Sequence, residues 1–419
     1  MIFLYTFLLR IYSLGITIAS PFNKKARLWS SGRRKVFENL KNSHIGKRPV
    51  IWIHTASLGE FEQGRPIIER IKTIYSDHHI LLTFFSPSGY EVRKNYKGAD
   101  FISYLPLDTI GNARKFISIV KPQMVIFVKY EFWFNYINEL YKQKIPLLFV
   151  SVIFRPSQIF FKPIGFWFAK QLNKISYLFV QNNISIKLLQ NIGISHSEIS
   201  GDTRFDRVIE IKNEDVSFPI IESYVLKSKI LVGGSTWSQG EAIIYDLLEK
   251  SNLDFKYIIA PHLIGDDHIN DILKRFKKYN PVRYSKANKS NMKNCKVLII
   301  DEIGFLSKLY RYADVAYVGG GFGAGIHNLL EASTYGIPVL FGPNHKRFKE
   351  AIDLQNLEVG FSISSYKEAK EILTKLMTDR KFYEKCSQVS QQYVIENSGA
   401  TDVVISKVKE FIVASKGVI

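Results

Sequence analysis

Cysteine is nearly absent: Cys295 and Cys386 are the only two in 419 residues. Far apart in sequence, they offer neither a disulfide framework nor a cluster with metal-ligand spacing, which fits a reducing compartment. The histidines form no H-E-x-x-H pair, and the glycine-rich segment has neither a Walker lysine nor a regular G-x-G-x-x-G. No recognisable RNA- or DNA-binding motif occurs, nor any solenoid-length repeat or low-complexity tract. Metalloprotease and P-loop chemistry therefore lose their usual signals. Acidic residues are also scarce, 38 against 57 basic ones, for a formal charge of +19. That excess favours a polyanionic partner: nucleic acid, a phosphorylated small molecule or an anionic membrane surface.

The chain also lacks an unbroken apolar run of membrane-spanning length at its start. "MIFLYTFLLRIYSLGITIASPFNKKARLWSSGRRK" is interrupted by Arg10, whereas a span needs about 20 mainly apolar residues. A cleaved secretory signal would carry its charges before the apolar stretch, and here Lys24, Lys25, Arg27, Arg33, Arg34 and Lys35 follow it. An interfacial helix with Arg10 snorkelling, followed by a polybasic segment drawn to anionic headgroups, explains more than a true span. Either reading places the basic segment on the cytoplasmic face. Residues 1–35 are thus expected to form a membrane-associating helix and basic segment.

What is present from residue 50 onward is alternation. Short runs rich in Val, Ile, Phe and Tyr, such as "VIWIH", "HILLTFF", "MVIFVKY" and "PLLFVSVIF", alternate with helical patterns, the signature of parallel sheets built from strand and crossover helix. A second set runs through "ILVGGST", "FKYIIAP", "VLIID", "VAYVGGG" and "PVLFG". The expected layout is α/β: a Rossmann-like domain over 36–206, a polar linker over 207–228, a second Rossmann-like domain over 229–390, and a helix over 391–419 packing back toward the first. Length agrees, since 419 residues suit two domains of roughly 150 to 200. Two doubly wound domains in series would face a cleft, with ligands outside the carboxyl ends of the strands.

Ser57-Leu58-Gly59-Glu60 follows the first strand and reads as a capping box opening a helix that continues to about Tyr75. The helix dipole should keep a carboxylate there ionised at neutral pH, ready to accept a proton; locally, a plain cap is the commoner meaning. In "VAYVGGGFGAGIHNLLEASTYGIPVLFGPNHKRF" the glycines let backbone approach a ligand closely, and a helix expected to start near His327 would aim free amides at an anion, with Lys346, Arg347 and Lys349 downstream. Tight packing alone would also account for such a turn. Other strand-end groups are Glu131, Arg204, Ser235, Thr236, Glu241, His262, Asp301 and Gly304. The segment 154–172, "FRPSQIFFKPIGFWFAKQL", mixes five Phe and one Trp with Arg155, Lys162 and Lys170, which suits either a core or a lipid-facing surface.

In this order, "HTASLGEFEQGRPII", "TFFSPSGYE", "YLPLD", "KYEFWFN", "GDTRFD", "GGSTWSQGE", "DEIGFL" and "GGGFGAGIHNLLEASTYGIPVLFGP" resemble the 3-deoxy-D-manno-octulosonic acid (Kdo) transferases of lipopolysaccharide synthesis, from the amino-terminal anchor to about residue 351. The resemblance implies a GT-B glycosyltransferase moving Kdo from CMP-Kdo to a lipid A precursor of the lipid IVA type, at the cytoplasmic side of the inner membrane. It implies no cofactor and no protein-bound metal, and it leaves nucleic acid out as a partner. It assigns the proton acceptor to Glu60 and transition-state support to Glu131 and Arg204. CMP contacts fall on Pro261 and His262, on Ile303, Gly304 and Phe305, and on Asn328, Leu329, Leu330 and Glu331. Arg204 and the amides near 327–330 would steady the departing phosphate. Three departures stand out: Pro261-His262 lacks the arginine of a common P-R-H, "HNLLEAS" lacks a proline after its asparagine, and Arg347 replaces a usual asparagine. Arg204 stands for lysine, keeping the charge but changing its geometry. The residues leave two rivals: a UDP-sugar transferase or epimerase on the same scaffold, and a non-catalytic basic protein of nucleic acid or membrane surfaces.

Overall fold

The computed structural model describes residues 1–226 and 228–416. Residue 227, within the expected linker, and residues 417–419, at the end of the expected last helix, lie outside the described residues. The chain forms two compact units, Met1–Arg207 with Ser398–Ile419, and Val208–Asn397. The stretch expected as a linker is largely helical, through Thr203–Asn213 and Pro219–Val225.

In the first unit, helices α1 (Ile2–Ala19), α2 (Lys24–Arg33) and α3 (Val36–Asn42) precede β1 (Val50–Thr55), and α4 (Leu58–Ile74) leads to β2 (His79–Phe84). The strands β3 (Phe101–Tyr104), β4 (Pro122–Val128), β5 (Leu147–Val152), β6 (Tyr177–Val180) and β7 (Ser197–Ile199) follow. The parallel sheet has the order β3-β2-β1-β4-β5-β6-β7, so the winding reverses between β1 and β4. Both faces are covered, which is why the strands read as continuous apolar runs. One face packs Trp52 against Phe116, Phe127 and Tyr136, with ring centroids 4.9 to 5.6 Å apart. The other buries Ile51, Ile53, Ile67 and Ile71 together with Val404, Ile405, Val408 and Ile412 of the helix Ala400–Lys416. Their three- and four-residue spacing puts these last four on one helical stripe. Asp206 caps that helix, accepting hydrogen bonds from Gly399 N at 2.6 Å and Thr401 N at 2.7 Å.

Helix α1 is long and apolar enough to cross a membrane by length and composition. Phe3, Phe7, Leu8, Ile11, Leu14 and Ile18 are exposed, and its opposite side is latched to the unit. The Tyr5 hydroxyl donates to buried Asp108 at 2.7 Å, and Asn135 Nδ2 donates to Thr6 Oγ1 at 3.1 Å. A hydrogen bond to a carboxylate contributes about 1.5–3 kcal/mol. Tyr5→Phe should therefore weaken docking of α1 by about that amount, read as faster proteolytic cleavage around residues 19–23; unchanged cleavage would show that the latch does not hold the helix. One member of the expected polybasic segment turns inward. Arg33 donates to the carbonyls of Trp29, Leu105 and Phe85 and stacks over the Trp29 ring at 4.0 Å. Lys24, Lys25, Arg27, Arg34 and Lys35 remain exposed.

The second unit begins with β8 (Lys229–Thr236) and β9 (Phe255–Pro261). It continues through β10 (Val282–Arg283), β11 (Val297–Ile299), β12 (Val315–Val318), β13 (Val339–Phe341) and β14 (Gly360–Ser362). The order β10-β11-β9-β8-β12-β13-β14 reverses between β8 and β12. In each sheet the reversal opens a crevice at the carboxyl ends of two neighbouring strands, where loops diverge above and below.

Candidate active site

In the first unit the reversal brings His54 of β1 beside the residues that follow β4. His54 Nε2 lies 3.4 Å from Glu131 Oε2 and accepts from Trp133 Nε1 at 3.1 Å. Its Nδ1 faces Thr83, 2.8 Å from Oγ1 and 3.1 Å from the carbonyl, while Trp52 Nε1 donates to the same Thr83 hydroxyl at 2.7 Å. Lys129 turns the chain off β4 with φ 65°, a left-handed conformation that side chains rarely adopt, and Ser151 does the same at the end of β5 with φ 56°. Backbone strain of this kind costs about 1–3 kcal/mol per residue and concentrates at functional sites.

Glu60 is both the helix cap and a carboxylate that is only half buried. Its Oε2 accepts both cap bonds, from Ser57 N at 2.8 Å and Ser57 Oγ at 2.9 Å. No donor among the described residues reaches Oε1. Capping uses one oxygen and leaves the other for a ligand. Burial pushes the Glu60 carboxyl above the ordinary range and the charge of Glu131 raises it further, against the pull of Ser57, His54 and Lys129. Desolvation and a neighbouring carboxylate thus oppose the helix dipole expected to keep this group ionised.

Arg204 is held by Asp202, which accepts from Arg204 Nε at 2.8 Å and from its backbone N at 2.9 Å. Buried Asp202 also accepts from Gln63 Nε2 at 2.9 Å. Gln63 lies one turn after Glu60 in α4, so a single helix positions the carboxylate and braces the guanidinium. Arg155 and Arg204 both lie near the Tyr130 hydroxyl, opposing the rise that burial imposes on it. The structure thus brings Glu60 and Glu131 together and sets Arg204 beside Tyr130, the residue preceding Glu131.

In the second unit Thr236 of β8 pairs with Pro261 of β9, and the loops beyond them form a stack of three rings. His262 stacks against both Trp237 and His327, with centroids 4.8 and 4.6 Å away and planes within 26°. Trp237 Nε1 donates to His327 Nε2 at 3.3 Å. Burial, then the neighbouring His262, lowers the His327 pKa, which favours the neutral ring that can accept this bond. Beside the stack is a cavity of about 400 Å³ lined by Trp237, Gly240, Tyr317, Gly320, Phe322 and Gly325. Gly320 and Gly325, at φ 90° and 142°, form a turn closed to other residues.

The remaining expected contacts are mixed. Ile303 is exposed, and Gly304 makes a left-handed turn at φ 93°. Phe305 packs against Phe218 and Tyr284. The Leu329 and Leu330 side chains are fully buried, so only their backbone could face a ligand. Asn328 Nδ2 donates to Glu331 Oε1 at 3.2 Å, and Glu331 lies close to the Tyr310 phenol. The helix expected near His327 starts at Leu330 and runs only to Ser333, because Gly336 takes φ 74° just beyond it. Two of the amides expected for phosphate are already taken: His327 N donates to Gly319 O, and Leu330 N to Asn328 Oδ1. Asp301 and Glu241 are also occupied, the first by Arg283 and Ser285, the second by Thr236 and His268. Sequence reading did not single out His54, Lys129, Trp133 or Trp237, which the structure places in these two clusters; their common signal was position at a strand end.

Residues 31–207 match the family described as 3-deoxy-D-manno-octulosonic-acid transferase (kdotransferase). A 3-deoxy-D-manno-octulosonic acid transferase of Aquifex aeolicus is 29% identical over 82% of this chain and 89% of its own. A bifunctional glycosyltransferase/methyltransferase of Fusobacterium nucleatum is 26% identical over 85% of this chain, which spans only 56% of that relative's length. Among solved structures, UDP-GlcNAc 2-epimerase of Neisseria meningitidis superposes with a TM-score of 0.62 at 16% identity, covering 86% of this chain and 100% of that one. That likeness establishes the GT-B arrangement of two parallel sheets with flanking helices. With family-specific similarity covering the first unit and relatives aligned across most of both, these likenesses support a Kdo transferase, a glycosyltransferase.

Proposed function

We propose that this protein transfers Kdo from CMP-Kdo to a lipid A precursor of the lipid IVA type, working at the cytoplasmic side of the inner membrane, with Glu60 as general base. The observation that supports this most is the free Oε1 of Glu60 in a half-buried crevice, on a carboxyl whose proton affinity is raised by burial and by Glu131. A base works best with a pKa drawn toward the working pH. Glu60 removes the proton of an acceptor hydroxyl as oxygen bonds to the anomeric carbon, and the electron pair of the breaking bond leaves with the CMP phosphate. Arg204, fixed by Asp202, supplies positive charge to the transition state, and Glu131 with His54 tunes the base. In the second unit, the Trp237–His262–His327 stack offers a flat surface for cytosine, and the glycine turn permits close backbone approach to phosphate. The exposed apolar side of α1 and the five outward cations of 24–35 support attachment to an anionic leaflet.

The test is product mass analysis with purified protein, CMP-Kdo and a tetraacylated lipid A precursor. Addition of one or more Kdo units is expected, with inhibition by CMP and not by UDP. Inhibition by UDP alone, with no Kdo added, would favour a UDP-sugar enzyme. Salt-sensitive nucleic-acid binding without any transfer would favour the non-catalytic reading.

A further inference from the structure

We propose that the groove between α1, α2 and the turn after β2 holds one acyl chain of the acceptor lipid, an inference that rests on the proposed transfer to an acylated acceptor. The groove encloses about 580 Å³ and is walled chiefly by Tyr12, Gly15, Ile16 and Ala19 of α1, Trp29 of α2, and Phe85. Gly15 and Ala19 are four residues apart and so share a helix face. Their small side chains make the hollow: a Cβ at Gly15 would meet nothing within 4 Å. The lining is mainly hydrocarbon and aromatic, which suits an alkyl chain and gives a sugar or nucleotide few partners.

Two features identify the occupant as the acceptor's chain. The groove shares a wall with the carboxylate cluster: Phe85 packs edge-on against Trp29 at 5.7 Å and, tilted by 36°, against Trp133 at 4.6 Å, and Trp133 donates to His54 beside Glu131. A chain seated there ends one aromatic layer from the carboxylates. At the rim stand Asn23 and Lys25, with Lys24 and Arg27 exposed on the same turns, a charge that complements lipid phosphate. The other side of α1 offers Phe7, Leu14 and Ile18 to the bilayer, so a lipid could enter the groove without its chain crossing water.

Gly15→Leu would fill the hollow without clashing with the fold. The full-length protein in detergent micelles is assayed with a tetraacylated lipid A precursor and with its fully deacylated counterpart. The wild type should prefer the acylated acceptor, and in Gly15→Leu the ratio of kcat/KM, acylated over deacylated, should fall about tenfold or more, the scale set by a methylene or two in an apolar pocket. Gly111→Leu places the same side chain at an exposed, open helix position and should leave the ratio unmoved. An unchanged ratio in Gly15→Leu, an equal loss with both acceptors, or a wild-type ratio near one would overturn the proposal. Altered vesicle retention without a change in ratio would assign the groove to a bilayer lipid and overturn it equally. Transfer to neither acceptor by the wild type would instead remove the proposed function itself, and the groove's occupant with it.

Discussion

Glu60→Gln should lower kcat by about 10²–10⁴-fold, the usual contribution of a positioned general base, with the protein folded and CMP still bound. Glutamine is the cleanest replacement because the amide carbonyl can accept the same bonds from Ser57 N and Oγ, and a capping box takes Gln as well as Glu. The cap survives and only the capacity to take a proton is lost. Nucleotide binding should persist, since Trp237, His262, His327 and the glycine turn proposed to hold CMP belong to the other unit. The pH profile gives a second check. The base works only when ionised, so kcat/KM should fall as pH drops through the Glu60 pKa. That limb should lie above the ordinary carboxylate range, because burial and then Glu131 raise it. Glu131→Gln removes one of those two causes and should move the limb to lower pH. A folded E60Q protein with turnover near the wild type, or a limb unmoved in E131Q, would take Glu60 out of this role.

How much of this was legible beforehand follows from which interactions are local. The two sheets were readable because parallel strands covered on both faces must be apolar throughout, as in "MVIFV" of β4, and because a helical pattern follows each. The Glu60 cap was readable because its partner is three residues away. The carboxyl's altered proton affinity was not, since Glu131 reaches it only through the pairing of β1 with β4. His54 was opaque for the same reason: Thr83 and Trp133 lie 29 and 79 residues away. Arg33 looked like one more membrane-facing cation, and three backbone carbonyls and an indole draw it inward instead. In the aromatic segment, Phe154 and Phe160 are buried core while Ile164 and Phe166 are exposed, so the stretch is divided between core and surface. Composition alone has no means of dividing them.

The glycine-rich turn supports the other large effect: Gly319→Ala should cost about 3 kcal/mol or more and abolish CMP binding by the second unit. The reason is close approach rather than freedom in φ. A Cβ at 319 would stand 2.1 Å from the Ser235 carbonyl oxygen and 2.9 Å from Thr236 Cα, both backbone atoms that no rotamer change can move. The contact sits where β8 and β12 diverge, and it is tied on both sides: Gly319 N donates to Gly234 O at 2.9 Å, and Gly319 O accepts from His327 N at 3.0 Å. Ser235 already holds φ 50°, so little give remains in the opposing strand. Pushing the strands apart would also displace Trp237 and His327, two of the three stacked rings. Gly323, four residues on, supplies the control, because a Cβ there would meet only the Gly320 carbonyl at 3.7 Å. Gly323→Ala should stay within about 0.5 kcal/mol, as for an ordinary surface change. Denaturant unfolding and calorimetric CMP titration of both variants separate the cases, and wild-type CMP affinity in G319A would show that the closeness of these two strands does not shape the nucleotide site.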